Sequence, residues 1–343
     1  MPPPAIDAET ARALRAALLR WYRKNRRDLP WRRTSDPYRI LVSETMLQQT
    51  RVSVAIPYYE RFTSRFPDPA SLAAAPLDEV LALWAGLGYY RRARHLKSAA
   101  EKIVSEHGGR VPDRLDALLA LPGVGRYTAG AILSIAHGRR AAVLDGNVFR
   151  VLARFFARKG SWRRAADRTP FWDLAEALVP EGNPGELNQA LMELGALVCV
   201  PRAPDCPRCP LRARCEALRL DRVDRFPVPP PREQTEIVAE SRYVLLDGEG
   251  RVLLVRRPER GRMGGLWDLP DSPPGKRRGR KVGTLRHSVL RFRYVVDVYR
   301  LSRPSRSARG GPDRRWAARE ELESYALTGM ARKALAVGLP PKP

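Results

Sequence analysis

The chain of 343 residues is 44% hydrophobic, so it can bury a substantial core, and its length favours about two domains. No segment reaches the roughly 18 apolar residues that a bilayer crossing needs, and residues 1–30 lack the apolar core of a secretory leader. We therefore expect a cytoplasmic protein in a reducing compartment. The formal charge of +25 favours a polyanionic partner, with nucleic acid as the leading candidate, although the base composition of an Arg- and Ala-rich genome is an alternative explanation.

Helical periodicity dominates the first two thirds of the chain. Apolar residues recur there at steps of three and four, which predicts a series of helices. These predicted helices cover residues 11–22, 38–49, 77–83, 115–121, 128–136, 148–156 and 187–197. Strand-like alternation is nearly absent from this part, which indicates a mainly α domain.

The pattern changes after the last cysteine. The proline-rich stretch 226–231 cannot continue a helix and indicates an extended connector. Short β-rich segments, which predict a small mixed sheet, follow at residues 241–246, 252–255 and 293–300. We expect a helical domain over residues 1–216, a linker over 217–236 and a smaller α+β domain over 237–343.

The first segment with candidate chemistry is VSETMLQQT, residues 42–50. On a helix, Glu44, Leu47 and Gln48 share one face, so a carboxylate and an amide would project into the same cleft. An apolar setting would raise the pKa of Glu44 toward that of a usable general acid, whereas the alternative is a carboxylate on the surface.

A glycine-rich junction, LPGVGR, joins two predicted helices at residues 121–126 and indicates a helix–hairpin–helix. Gly123 and Gly125 allow a tight turn, after which the backbone N–H groups of the second helix would point at a phosphate. Simple helix capping is the alternative for these glycines. Downstream, LDGNV places Asp145 at the start of another helix, where an ordinary N-cap is likewise the alternative to a functional carboxylate.

All four cysteines of the chain, Cys199, Cys206, Cys209 and Cys215, lie within residues 199–215. Thiolates at this spacing select iron–sulfur or zinc centres. A disulfide framework would scatter its cysteines through a short secreted chain, so it is disfavoured. Zinc remains an alternative, but structural zinc sites usually pair two short C-x-x-C knuckles, and the single knuckle here favours a [4Fe–4S] cluster.

The cysteine spacing, the LPGVG hairpin, LDGNV and SETMLQQT together resemble the endonuclease III superfamily, and within it the A/G-specific adenine DNA glycosylases of the MutY type. The resemblance covers about residues 10–216 and implies a helix-hairpin-helix DNA glycosylase domain with a [4Fe–4S] cluster loop. It further implies base excision repair of double-stranded DNA containing A:8-oxoguanine or A:G mispairs. A monomer is expected, associated with the nucleoid in a bacterial cytoplasm.

The resemblance also implies roles for the candidate catalytic residues. The lyase branch of the superfamily carries a nucleophilic lysine where this chain has Tyr127, so a Schiff base at this position is excluded. Glu44 would protonate adenine N7 and later help to activate water. Asp145 would stabilise or attack the sugar cation, while Asn147 and Tyr127 orient and screen the two carboxylates.

The DNA contacts implied by the family pattern surround a base that must be flipped out of the duplex. Gln49 and Tyr89 would wedge the duplex around the opposing base, although core packing is the alternative for Tyr89. Residues with supporting roles by resemblance are Thr50 and Leu87 at the opposing base, and Trp31, Arg32 and Gln189 in the adenine pocket.

The C-terminal part resembles the Nudix-like domain of the same family, with its best match at residues 264–270. It lacks the acidic metal box, so nucleotide pyrophosphate hydrolysis is not expected. The family's aromatic-Ser-His loop is replaced by residues 288–293, so we expect weaker recognition of 8-oxoguanine. The remaining candidates for this contact are His287, Ser288 and Arg291.

Two other functions stay open at this point. A related glycosylase could remove another mispaired base, such as thymine opposite G, because the pocket residues decide the base. A non-catalytic iron–sulfur DNA-binding protein is the second alternative. The presence of both Glu44 and Asp145 argues against that non-enzymatic alternative.

Overall fold

The computed structural model describes residues 6–229, 234–259, 263–273, 279–289, 291–302 and 311–340. The chain divides into two compact units, Met1–Ala73 with Ser98–Pro231, and Ala74–Lys97 with Arg232–Pro343. The grouping of residues 74–97 with the C-terminal part was not predicted. The expected linker over 217–236 stays a prediction, because residues 230–233 lie outside the described ones.

The helices of the described residues confirm the seven predicted ones and add others. Their bounds are α1 (Ala8–Asn25), α2 (Pro37–Leu47), α3 (Val52–Arg65), α4 (Pro69–Ala74), α5 (Leu77–Trp84), α6 (Arg91–His107), α7 (Leu115–Leu119), α8 (Arg126–Ala131), α9 (Gly146–Phe155), α10 (Ala165–Leu178), α11 (Pro184–Leu197), α12 (Glu216–Arg219) and α13 (Gly329–Gly338). The helices that were not predicted are α3, α4, α6, α10, α12 and α13. An internal proline interrupts the helical signal in α3, at Pro57, and in α10, at Pro170.

Two helix ends near the predicted cleft differ from expectation. Helix α2 begins at Pro37, where Asp36 caps the backbone N–H of Tyr38, but it ends at Leu47 instead of residue 49. Gln49 adopts a left-handed conformation with φ of 59°, which a continuing helix forbids. The helix predicted over 128–136 continues beyond α8 as a π-helical turn, Ile132–Ala136.

The core of the first unit forms around α9 and α11. Apolar side chains of α9, such as Phe149 and Leu152, are fully buried, as are Leu191 and Leu194 of α11. Helix α1 packs on the same cluster through Leu18. Because α9 is buried from Val148 to Phe155, its start is held rigidly at the edge of the core, where the candidate Asp145 caps it.

The second unit contains a mixed sheet of six strands, which confirms the predicted α+β character. Its strands are β1 (Glu236–Leu246), β2 (Val252–Arg256), β3 (Trp267–Asp268), β4 (Arg280–Val289), β5 (Phe292–Ser302) and β6 (Arg314–Ala317). The order is β3-β2-β1-β5-β4, with β6 paired to β2 and β1 parallel to β5. Helix α13 covers one face through Met330, Ala334 and Leu335.

Part of the segment that replaces the family's aromatic-Ser-His loop belongs to two paired strands. Strand β4 runs to Val289 and β5 begins at Phe292, and these two residues are paired in an antiparallel ladder. Ser288 is likewise paired with Arg293. Alternating exposed and buried residues on both strands extend the ladder to these positions.

No helix in the described part of the chain is both long enough and apolar enough to cross a membrane.

We predict that Gly130→Ala destabilises the protein. A Cβ at Gly130 of α8 would lie 2.1 Å from the carbonyl oxygen of Ala142, a backbone atom that cannot rotate away. Overpacking of this kind costs roughly 1–3 kcal/mol of unfolding free energy, which urea denaturation would measure. Gly182→Ala is the matched control, because open space surrounds that glycine. Equal stability of the two variants would contradict the prediction.

Candidate active site

A cavity of about 690 Å³ in the first unit gathers the predicted residues from five parts of its sequence. It is bordered by α2, the glycine-rich hairpin, the start of α9 and one side of α11. The predicted residues that line it are Trp31, Arg32, Glu44, Gln48, Gln49, Thr50, Gly123, Gly125, Tyr127, Asp145, Asn147 and Gln189. Leu87 and Tyr89 belong to the other unit and are described separately below.

Glu44 is buried on α2 with only 5% of its surface exposed. The hydroxyl of Tyr127 donates to its Oε2 at 2.6 Å. Burial raises the pKa of Glu44 to about 7, and the Asp145 charge adds to the rise, while the Tyr127 hydrogen bond and Arg32 oppose it. A carboxyl with this pKa exchanges a proton near neutral pH, as a general acid requires.

Asp145 serves as the N-cap of α9, and it also faces the cavity, so the two sequence interpretations are compatible. Its Oδ1 accepts from the backbone N–H of Asn147 at 2.9 Å and of Val148 at 2.7 Å, and its Oδ2 accepts from Asn147 Nδ2 at 2.8 Å. Burial raises the pKa of Asp145, whereas these hydrogen bonds favour its charged form. The oxygens are therefore held in one orientation by three donors.

The hairpin positions Tyr127 opposite the two carboxyls. Gly123 adopts a φ of 78°, which only glycine takes without strain, and Gly125 caps α8 in an extended conformation. Tyr127 then lies in the first turn of α8. Burial and the nearby Glu44 charge raise the pKa of the Tyr127 hydroxyl well above its usual value, so it remains a hydrogen-bond donor.

Arg150 was missed by the sequence interpretation although it supports the site. It is buried on α9, and its guanidinium donates to Oδ1 of Asn147 at 2.8 Å and to the carbonyl oxygens of Gly195 and Cys199, each at 2.7 Å. Because Oδ1 of Asn147 is occupied by this bond, Nδ2 is directed at Asp145. A cation within the apolar run VFRVLARF was the available signal.

A buried ion cluster forms another wall of the cavity. Glu193 of α11 pairs with Arg27 at 2.6 Å and with Arg32 at 2.8 Å. Burial alone would raise the pKa of Glu193, but the hydrogen bonds from the two arginines outweigh it and hold the pKa at about 2. Glu193 is therefore a permanent anion that fixes Arg32 beside the predicted base pocket.

Two other predicted pocket residues are also held in place. Gln189 accepts from the hydroxyl of Tyr22 through Oε1 at 3.3 Å and donates through Nε2 to the carbonyl oxygen of Gly185 at 3.3 Å. The ring of Trp31 packs edge-to-face on Tyr59 with centroids 5.4 Å apart. Their orientations are thus set before any base enters.

The two predicted wedge residues both adopt strained backbone conformations. Gln49 has a φ of 59° and Tyr89 a φ of 48°, and both side chains are exposed, Tyr89 by 44%. Non-glycine residues in this region cost of order 1 kcal/mol or more and cluster at functional sites. Core packing is excluded for Tyr89 within its unit. Leu87, by contrast, is buried, with 7% of its surface exposed.

The four cysteines are free thiols that line one small apolar cavity, so the disulfide alternative is not realised. Among the described residues, no three His, Cys, Asp or Glu side chains are grouped tightly enough to hold one metal ion. Four thiols around one apolar cavity fit the donor set of an iron–sulfur cluster. Arg154 of α9 approaches Cys199 Sγ at 3.4 Å and donates to the Val200 carbonyl.

The C-terminal candidates do not form one contact surface. His287 and Ser288 are neighbours on β4, so their side chains point to opposite faces of the sheet. His287 lies toward Gly329, where α13 begins, and burial and Lys333 lower its pKa. Arg291 is paired with Glu236 at 3.6 Å and stacks on Phe292. Their roles at an opposing base stay predictions.

Comparison with known proteins identifies the family of this chain. Residues 42–170 match the HhH-GPD superfamily base excision DNA repair protein family, and residues 242–337 match the NUDIX domain. The adenine DNA glycosylase of Homo sapiens is 34% identical across 96% of this chain and 75% of its own length. The chain belongs to the adenine DNA glycosylase family. The Rattus norvegicus member of this family is also 34% identical, across 96% and 79% of the two chains.

Solved structures agree with this adenine DNA glycosylase fold in the helical part. A thermostable thymine-DNA glycosylase superposes with a TM-score of 0.58 and 34% identity, covering 62% of this chain and 100% of that one. A trapped endonuclease III–DNA covalent intermediate gives 0.54 and 22% identity over 63% and 99%. The second likeness shows the fold alone, and together they confirm the predicted fold class, while the family match confirms the superfamily.

We predict that Glu44→Gln removes part of the pH dependence of the unfolding free energy in this adenine DNA glycosylase family member. The folded pKa of about 7 exceeds the ordinary value of 4.5, so the stability from neutral, buried Glu44 is complete below pH 4.5 and is lost as pH rises to about 7. This loss of unfolding free energy amounts to roughly 3 kcal/mol in wild type. The variant does not suffer it, because the Gln amide does not ionise. Urea denaturation at pH 5 and pH 8 should show that wild type loses more unfolding free energy than the variant between these two pH values.

The exposed Glu60→Gln variant on α3 is the control and should follow the wild-type pH dependence. If the unfolding free energies of wild type and Glu44→Gln changed equally with pH, the pKa of Glu44 would not be raised and the prediction would fail.

Proposed function

We propose that this protein is a monofunctional adenine DNA glycosylase that removes adenine opposite 8-oxoguanine or guanine by hydrolysing the N-glycosidic bond. The observation that carries the proposal is the buried Glu44, whose pKa is about 7 and whose Oε2 accepts from Tyr127, in one cavity with Asp145. Family membership supports the substrate class, because the named relatives are adenine DNA glycosylases.

Glu44 supplies the proton in the proposed reaction. Protonation of adenine N7 by the neutral carboxyl makes the base a better leaving group, and the N-glycosidic bond breaks as the sugar develops oxocarbenium character. The resulting carboxylate then accepts a proton from a water molecule that adds to the sugar C1′. The products are free adenine and an abasic site.

Asp145 stabilises the positive sugar from a fixed position. Three hydrogen bonds from Asn147 and Val148 favour its charged form and orient both oxygens. Arg150 contributes by holding Asn147. Because a hydroxyl occupies the position of Tyr127, the chain offers no amine there for a Schiff base, so the proposed enzyme leaves the abasic strand uncut.

The target adenine must leave the duplex to reach Glu44. The strained and exposed Gln49 is suited to fill the gap beside the opposing base. Tyr89 of the other unit is strained and exposed as well, and its role at the opposing base is the one that the family pattern implies. The hairpin at Gly123 and Gly125 would present backbone N–H groups to a phosphate, and the overall charge of +25 favours the DNA backbone. Preference for 8-oxoguanine would rest on the catalytic unit and on Arg291 or His287, since residues 288–293 replace the family's aromatic-Ser-His loop.

A [4Fe–4S] cluster would be held by Cys199, Cys206, Cys209 and Cys215, which line one cavity. Such a cluster supplies structural cross-linking of its loop in this proposal, and no bond-breaking step. Exposed Arg202 and Arg208 extend from the loop and would contact phosphates. Arg154, close to Cys199, fixes the loop to α9.

A second candidate function is removal of thymine opposite guanine. It is favoured by the likeness to the thymine-DNA glycosylase structure, which is 34% identical over 62% of this chain. Purified protein should be incubated with duplexes carrying A, T or C opposite 8-oxoguanine, G or C, followed by alkali to reveal abasic sites. Strand breaks at adenine alone support the first function, and breaks at thymine opposite G support the second.

We predict that Glu44→Gln abolishes excision while it preserves duplex binding. The amide keeps the shape but cannot donate the transferable proton, and general acid–base catalysis contributes about 10²–10⁴-fold. Single-turnover excision and affinity should be measured on one A:8-oxoguanine duplex. Glu60→Gln is the charge-matched control and should excise at the wild-type rate. Near-normal excision by Glu44→Gln would remove Glu44 from the mechanism.

We predict about four iron atoms per chain after anaerobic purification, because four thiolates satisfy one cubane cluster. The protein should be brown, with broad absorption at the blue end of the visible spectrum. Elemental analysis of wild type and Cys209→Ser decides the matter, since the variant should lose iron. One zinc and no iron per wild-type chain would refute the cluster.

A further inference from the structure

Trp162 lines the same cavity as Glu44 and Asp145, although no sequence pattern pointed to it. It lies in the connection between α9 and α10. Its side chain is 37% exposed, whereas Trp31, the other tryptophan of the cavity, is 7% exposed and belongs to the core. An exposed indole at the edge of a catalytic cavity is available to contact whatever enters it.

The ring of Trp162 is held in place by its neighbours. It packs edge-to-face on Phe149 with centroids 5.6 Å apart, and the guanidinium of Arg168 lies 5.3 Å from its centroid. Arg168 also donates to the carbonyl oxygen of Trp162 at 3.3 Å. The indole is therefore preorganised, so a contact made by it costs little conformational entropy.

The polar edge of this ring is directed at the start of α9. Indole Nε1 lies 4.0 Å from the position that a Cβ on Gly146 would occupy, next to Asp145. Within the described part of the chain, the indole N–H has no acceptor. Exposed Lys159, Arg163 and Arg164 flank Trp162 in the same connection. A donor with cationic neighbours fits an anionic oxygen, and the phosphates of DNA are the anions that surround a flipped nucleotide.

We infer that Trp162 is a positioning residue whose indole N–H donates to a phosphate oxygen of the strand that carries the extruded nucleotide. This contact fixes the sugar of that nucleotide against Asp145. The inference rests on the proposed function, since it concerns the DNA that the same cavity would receive.

The test combines Trp162→Phe with neutral phosphates. Phenylalanine keeps an aromatic ring on Phe149 and removes only the N–H. Affinity is measured in the Glu44→Gln background, and single-turnover excision in the active protein, on A:8-oxoguanine duplexes carrying one methylphosphonate at successive positions around the adenosine. Trp21→Phe on α1, outside this cavity, is the matched control, and thermal melting checks that each variant is folded.

We expect Trp162→Phe to weaken affinity and slow excision by about tenfold, the usual effect of one hydrogen bond to a charged group. A methylphosphonate at one position should weaken affinity and slow excision by a similar factor in wild type, and it should have no effect in Trp162→Phe. Trp21→Phe should behave as wild type. Unchanged binding by Trp162→Phe, or penalties that persist in it at every phosphate, would overturn the inference. Persistent penalties with weakened binding would show that the ring stacks on the nucleotide instead.

The outcomes separate this inference from the proposed function. If wild type shows the Trp162-dependent phosphate contact but releases no adenine, the proposed function fails and the contact stands. If wild type excises adenine and Trp162→Phe does so equally well, the inference alone fails.

Discussion

Two buried guanidinium groups on α9 need hydrogen-bond acceptors, and the structure of the first unit is arranged around satisfying them. Arg150 and Arg154 are 9% and 3% exposed and lie one helical turn apart. A buried charge without partners costs several kcal/mol, so each must find oxygen atoms inside the protein. Arg150 takes them from Asn147, Gly195 and Cys199.

Arg154 binds the start of the cysteine segment and the chain that follows it. It donates to the carbonyl oxygens of Val200, Pro201, Val223 and Phe226. Asp145, at the other end of the same helix, caps its N-terminus. Helix α9 therefore connects the proposed cluster loop with the proposed sugar-stabilising carboxylate. Loss of the hydrogen bonds of either arginine would disturb both. The cluster would thus matter to the site mechanically.

Two glutamates of the cavity have different pKa values because their surroundings differ. Glu44 and Glu193 both line it, yet the pKa of Glu44 is raised to about 7 and that of Glu193 is lowered to about 2. Glu193 has two arginines within ion-pair distance, whereas Glu44 has a tyrosine hydroxyl. Such a divergence assigns roles, because only a group that titrates near neutral pH can both give and take a proton.

Local sequence determined the parts of this protein that depend on near neighbours. The left-handed turn at Gly123, the N-cap at Asp145 and the shared helical face of Glu44 and Leu47 follow from backbone geometry over a few residues. The isolated cysteines likewise predicted one ligand set without any knowledge of the fold. Their functional meaning came from resemblance to a family.

Only the tertiary structure decided which charged side chains are buried and what they contact. Arg27 and Glu193 are 166 residues apart in sequence, and Arg150 reaches a carbonyl 49 residues away, so no periodicity could pair them. In a sequence with 62 Lys and Arg, each of these arginines resembles a surface charge. The position of Trp162 in the cavity depends equally on packing between distant segments, because burial is a property of the assembled core.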